Sequence, residues 1–168
     1  MPSDNEACVL VAGLGNIFLG DDAFGPEVVA RLATMDLPST VRLLDIGTRA
    51  VHLAYELLER PYETLILIDV VAKGGVAGTV YVLEPADETA PVRVFPDAHS
   101  LGPHRILELT RQLGGQTGRV LIVGCEAAHF EPENGMSPSV RGAVDEAVRV
   151  VLRLLASVAP QRAAAAEV

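Results

Sequence analysis

The stretch Cys8-Val9-Leu10-Val11-Ala12-Gly13-Leu14-Gly15-Asn16-Ile17-Phe18-Leu19-Gly20-Asp21-Asp22-Ala23-Phe24-Gly25-Pro26-Glu27-Val28-Val29-Ala30-Arg31-Leu32 decides how the chain folds. Its first five residues form a short apolar run, the pattern of a strand buried on both faces. Pro26–Leu32 reads as a helix that opens on proline, where the missing N–H is not needed. A glycine-rich turn joins the two. Strand, glycine turn and helix in this order open a parallel α/β sheet. This turn, however, delivers two adjacent carboxylates where a nucleotide loop offers a phosphate cradle.

The alternation continues along the chain. Strands are predicted at Cys8–Ala12, Val41–Asp45, Thr64–Asp69, Thr79–Leu83 and Arg119–Gly124, and helices at Pro26–Ala33, Ala50–Leu58, Gly102–Leu113 and Ser139 to about Ser157. In the last helix Val140, Val144, Ala147, Val148, Val151, Leu152 and Leu155 make one apolar stripe, with Ser137 as N-cap and Pro138 in the first position. Only Ala72-Lys73-Gly74-Gly75-Val76-Ala77-Gly78 separates the third and fourth strands, too little for a crossover helix. The fourth strand is therefore expected to run antiparallel at an edge. The predicted fold class is α/β: a three-layer sandwich with a mainly parallel twisted sheet of about five strands, helices on both faces and one antiparallel edge strand. One domain is expected over residues 1–168, with residues 1–6 and 160–168 as tails.

With 168 residues and 49% hydrophobic content the chain can bury a substantial core. Its net charge of −9 argues against nucleic acid or an anionic membrane as partner. No apolar run reaches the ~18 residues that span a bilayer, and the start, Met1-Pro2-Ser3-Asp4-Asn5-Glu6, lacks the basic region of a signal peptide. A cytoplasmic monomer is the expectation, with Cys8 and Cys125 as buried free thiols.

In open α/β sheets ligands collect at the carboxyl ends of the strands, near the point where strand order reverses. Those ends carry the Gly13–Gly25 loop, Asp45-Ile46-Gly47-Thr48-Arg49, Asp69 and Cys125-Glu126, while Asp97-Ala98-His99-Ser100 leads into the third helix. Helix capping accounts for one of Asp21 and Asp22, but not readily for both. Asp69 ends the apolar run Leu65–Ile68, where a carboxylate is costly unless it binds a ligand or a loop amide. Asp22, Asp69 and His99 together are two carboxylates and an imidazole, a set that suits a divalent transition metal with open positions. His52 and His104 fall on predicted helices and read as surface or packing residues; His129 is loop-borne. No serine or cysteine nucleophile elbow is present.

Two nucleotide-related readings fail on the residues. A dinucleotide fingerprint needs glycine three places after Gly15, where Phe18 stands, and no Gly-Lys-Ser/Thr follows for a phosphate loop. A nucleotide-binding oxidoreductase is disfavoured accordingly. Gly13-Leu14-Gly15-Asn16 also matches the opening of peptidyl-tRNA hydrolases, but the proline and nearby histidine that follow in that family are missing.

Read in order, the segments resemble the hydrogenase maturation endopeptidases. The likeness runs through Gly13-Leu14-Gly15-Asn16 with Asp21-Asp22 and Gly25, Asp45-Ile46-Gly47-Thr48, and the strand ending in Asp69. It continues through His99-Ser100-Leu101-Gly102, Val123-Gly124-Cys125-Glu126 and Gly135-Met136-Ser137-Pro138, so it covers about Cys8 to Leu155. The resemblance implies a protease that trims the C-terminal tail of a nickel–iron hydrogenase large-subunit precursor. It implies Asp22, Asp69 and His99 as ligands of nickel that the substrate itself brings, and no organic cofactor. It also implies a substrate-contact loop at Asp45, Gly47 and Thr48. Catalytic carboxylates are expected in Asp22 and Asp69, with Asp21 as a spare acid. Asp22 stands where many members carry glutamate, Ala23 where many carry glycine, and Ala127 where proline is common. A nickel-sensing chaperone that binds the precursor without cutting is the alternative.

Overall fold

A computed structural model describes residues 8–85, 102–132 and 135–158. The expected tails and the loop carrying His99 lie outside the described residues. The elements are β1 (Val9–Leu14), a single 3-10 turn (Gly20–Ala23), α1 (Phe24–Leu32), β2 (Val41–Gly47), α2 (Ala50–Glu59), β3 (Thr64–Val71), β4 (Val80–Leu83), α3 (Pro103–Gln112), β5 (Arg119–Glu126) and α4 (Pro138–Val158).

Among the described residues the sheet has five strands in the order β2-β1-β3-β5-β4. β2, β1, β3 and β5 are mutually parallel, and β4 runs antiparallel along the outer edge of β5. The predicted fold class therefore holds, including its antiparallel edge.

Strands β1, β2, β3 and β5 all continue two residues past the ends read from the sequence. The parallel ladder explains this: it pairs Asp69 with Gly124, Val70 with Cys125 and Val71 with Glu126, satisfying the backbone whatever the side chain. Residues that read as strand stops are thus carried inside the sheet, on its working edge. α1 starts earlier than expected, at Phe24, so Pro26 sits in its first turn, where backbone N–H groups have no intrahelical partner.

β4 does not lie beside β3, although it follows it in sequence; β5 intervenes. The connection steps across the end of β5 and is held there by Glu126. The Lys73 amide donates to Glu126 Oε2 at 3.1 Å and the Gly74 amide to Oε1 at 3.0 Å. The Gly78 amide donates to the Glu126 carbonyl at 2.8 Å. One buried carboxylate thereby satisfies a glycine-rich turn that has no ladder of its own.

Alternation along the strands supplies two cores. Val9, Val11, Ile66, Ile68 and Val123 face α1 and α4, meeting Val28, Leu32, Val144 and Val151. Leu10, Ala12, Leu65, Leu67 and Ile122 face α2 and α3, meeting Leu53, Leu57, Ile106 and Leu107. Each such Val, Leu or Ile side chain, fully removed from water, contributes about 1.5–3 kcal/mol before the entropy of ordering it is counted. Among the described residues no helix is long and apolar enough to cross a membrane.

Candidate active site

Strand order reverses between β1 and β3. From β1 the chain passes through α1 to β2 on one side, then returns through α2 to β3 on the other. Two adjacent connections leave in opposite directions, and a crevice opens at their carboxyl ends. Asp22 lies on the turn after β1 and Asp69 lies on β3, so both belong to this crevice.

The glycines let the turn fold back tightly. Gly15 has φ +130°, and a Cβ there would run into the backbone oxygen of Asp22. Gly25, at the start of α1, lies directly against the carbonyls of Leu14 and Ile68, leaving no room for a side chain. The loop is built for close backbone approach, not for phosphate. The Asn16 amide donates to Asp22 Oδ2 at 2.8 Å, which fixes this carboxylate at the crevice.

Asp69 shares a strand face with Leu65 and Leu67, since alternate residues point the same way, and so it faces the α2–α3 side. The residue is half-buried, and its carboxyl is the more enclosed part. Burial pushes its carboxyl well above the usual carboxylate range and the charge of Asp22 pushes it further; the Val70 amide, donating to Oδ1 at 2.8 Å, opposes them. Two acids that resist ionising together form a site that favours a cation or a shared proton. α3, which follows the segment carrying His99, packs on this same face of the sheet. His99 itself lies outside the described residues, and among the described residues no three His, Cys, Asp or Glu side chains group to hold a metal.

Asp21 departs from the role of spare acid. It is fully buried, and its Oδ2 accepts from the amides of Ala128 (2.7 Å) and His129 (3.0 Å) and from Ser137 Oγ (3.0 Å), while Oδ1 accepts from the Ser137 amide (2.6 Å). Burial raises its carboxyl, but these hydrogen bonds together outweigh burial and leave it below the usual range. A carboxylate with this many donors is a fastener between the glycine loop and the β5–α4 loop, and a poor base. Sequence offered no signal for this, because its partners lie more than a hundred positions away.

Asp45 and Thr48 are exposed at the end of β2, and Gly47, with φ +56°, carries the carbonyl that accepts from the Gly15 amide at 3.1 Å. The β2–α2 loop therefore borders the crevice. Asp45 also lines an open depression of about 400 Å3 with Arg49, His52 and Tyr55. His129 meets the Asp21 fastener through its backbone, and His52 is exposed on α2. Cys125 is fully buried; burial, then Asp21 and Glu126, push its thiol up to about 12, which leaves no thiolate for attack. The reading of Cys125 as an inert buried thiol agrees with this, whereas Cys8 is only half-buried. The part played by Glu126 was not evident from its position after a buried cysteine.

Fold and paired acids define a three-layer α/β/α protein with an acidic crevice at its switch point. The chain belongs to the hydrogenase maturation protease family, whose model matches residues 26–154. It is therefore a peptidase of hydrogenase maturation. It is similar to the Hydrogenase 2 maturation protease of Escherichia coli, 33% identical over 153 residues, covering 88% of this chain and 90% of that protein. It is likewise 33% identical over 158 residues to the hydrogenase expression/formation protein HupD of Rhodobacter capsulatus, covering 92% and 74%. Among solved structures, the hydrogenase maturating endopeptidase HybD from E. coli superposes with a TM-score of 0.72 at 30% identity, covering 89% of this chain and 92% of that one.

Proposed function

We propose that this peptidase removes the C-terminal peptide from the nickel-loaded precursor of a nickel–iron hydrogenase large subunit, and that Asp22, Asp69 and His99 engage the nickel the precursor carries. The observation that carries this reading is the convergence of Asp22 and Asp69 at the switch point, where the charge of one raises the carboxyl of the other. A divalent ion relieves that repulsion, and the pair retains room for ligands from a second protein.

In this reading the enzyme needs no resident metal and no organic cofactor. A carboxylate of this pair takes a proton from the attacking water and returns it to the leaving amine. Catalysis is then of the aspartic type, with the precursor's nickel fixing the scissile bond in place. Asp45, Gly47 and Thr48 border the approach and contact the precursor. The protein acts as a cytoplasmic monomer.

The test is intact-mass analysis of the precursor, nickel-loaded or nickel-free, after incubation with the protein. Release of a C-terminal peptide from the loaded form alone is the expected result. Cleavage of both forms would remove nickel gating, and binding without release would leave the chaperone reading. Asp22→Ala and His99→Ala should each abolish release; wild-type rates in both would refute the ligand assignment.

A further inference from the structure

Ile17 and Phe18 stand at the tip of the loop between β1 and the 3-10 turn, 60% and 73% exposed. They are the only consecutive pair among the large apolar residues exposed in the described part of the chain. The tip is braced. The Phe18 amide donates to Asn16 Oδ1 at 2.9 Å, the Leu19 amide to the Asn16 carbonyl at 3.1 Å and the Asp22 amide to the Leu19 carbonyl at 3.0 Å. The Asn16 amide closes the ring on Asp22 Oδ2 at 2.8 Å. The same hydrogen bonds that aim Asp22 into the crevice hold both apolar side chains out into water.

An adjacent apolar pair held out by a braced loop is the kind of surface that a partner can cover. The loop ties the tip to Asp22, so a protein whose metal reaches Asp22 comes against Ile17 and Phe18 in the same approach. We infer that Ile17 and Phe18 are the apolar anchor on which the hydrogenase large-subunit precursor seats itself, through an apolar recess beside its metal. The inference rests on the proposed engagement of that precursor at Asp22. The continuity of the tip with Asp22 through this hydrogen-bonded loop makes the precursor the occupant, and a second copy of this chain is an outcome of the test. Because the loop is already ordered, little conformational freedom is lost on docking, which favours a strong contribution from few residues.

The experiment measures affinity for the nickel-loaded precursor separately from cleavage, using the full chain. The variants are Ile17→Ser with Phe18→Ser, Phe18→Ala alone, and Leu113→Ser as a control at another exposed apolar residue, 54% exposed just after α3. The double variant is expected to bind about tenfold or more weakly and to raise KM with kcat little changed, with Phe18→Ala intermediate. The control and the affinity for free nickel ion should match wild type. Wild-type affinity and KM in the double variant would overturn the inference. So would a wild-type dimer that the double variant dissociates while precursor affinity stays the same. A precursor that is bound through the tip but never cut would refute cleavage and leave the anchor standing; one cut by the double variant with unchanged affinity would do the reverse.

Discussion

Asp21 and Ser137, 116 positions apart, are joined by two hydrogen bonds, from the Ser137 amide to Oδ1 at 2.6 Å and from Ser137 Oγ to Oδ2 at 3.0 Å. The link fastens the glycine loop to the start of α4. Its neighbour Asp22 is left to meet Asp69 across the crevice. Two adjacent acids thus take unlike parts: one is saturated with donors inside the protein, the other faces the site.

The fastener sets a stability prediction. Asp21→Ala leaves the buried Ser137 amide and hydroxyl and the part-buried Ala128 and His129 amides without their acceptor, and is expected to cost about 3 kcal/mol in urea denaturation. Asp21→Asn should cost nearly as much, because its amide nitrogen would confront donors. A loss below about 1 kcal/mol in both would remove the fastener from the account.

Acid should act through the same residue. The folded carboxyl of Asp21 lies below its ordinary 3.8, so its stabilisation is present above that value and is lost as pH falls through the folded one. Thermal melts from pH 7 downward should show the wild type converging on Asp21→Asn in the acid range.

Asp69 predicts the opposite sign. Its carboxyl is raised in the folded state, so the stability it contributes is full below the ordinary carboxylate range and is lost as pH rises towards the folded value. Asp69→Asn should therefore melt above wild type at pH 7 while losing peptide release. A lower melting temperature would place Asp69 among structural groups.

A thiol mechanism is tested at Cys125. With the group buried and raised to about 12, native protein should resist iodoacetamide at this position until denatured. Cys125→Ala should retain peptide release at a stability cost of about 1–2 kcal/mol. Loss of release in a folded Cys125→Ala protein would reopen nucleophilic catalysis.

Gly15→Ala tests the loop. A Cβ at φ +130° meets the Asp22 backbone oxygen, so the variant should lose about 2–4 kcal/mol and displace Asp22. Its nickel affinity should fall with its melting temperature. Unchanged values for both would show that the loop tolerates relaxation.

Patterning along the chain is enough for the order of elements, the three layers and the antiparallel edge. The unbroken apolar run Leu65–Ile68 matches a strand buried on both faces, and the stripe from Val140 to Leu155 repeats at the period of a one-sided helix. Patterning also brought Asp22 and Asp69 to one edge, because both follow apolar runs and parallel strands end on the same side. What each acid does there depends on contacts made only in the folded chain. The division between Asp21 and Asp22 turns on partners at Ala128, His129 and Ser137. The service of Glu126 turns on the amides of Lys73 and Gly74, 53 and 52 residues away. Side-chain periodicity is a local property carried by neighbours along the chain, whereas the saturation of a buried carboxylate depends on which distant amides the closed sheet brings within hydrogen-bonding distance of it.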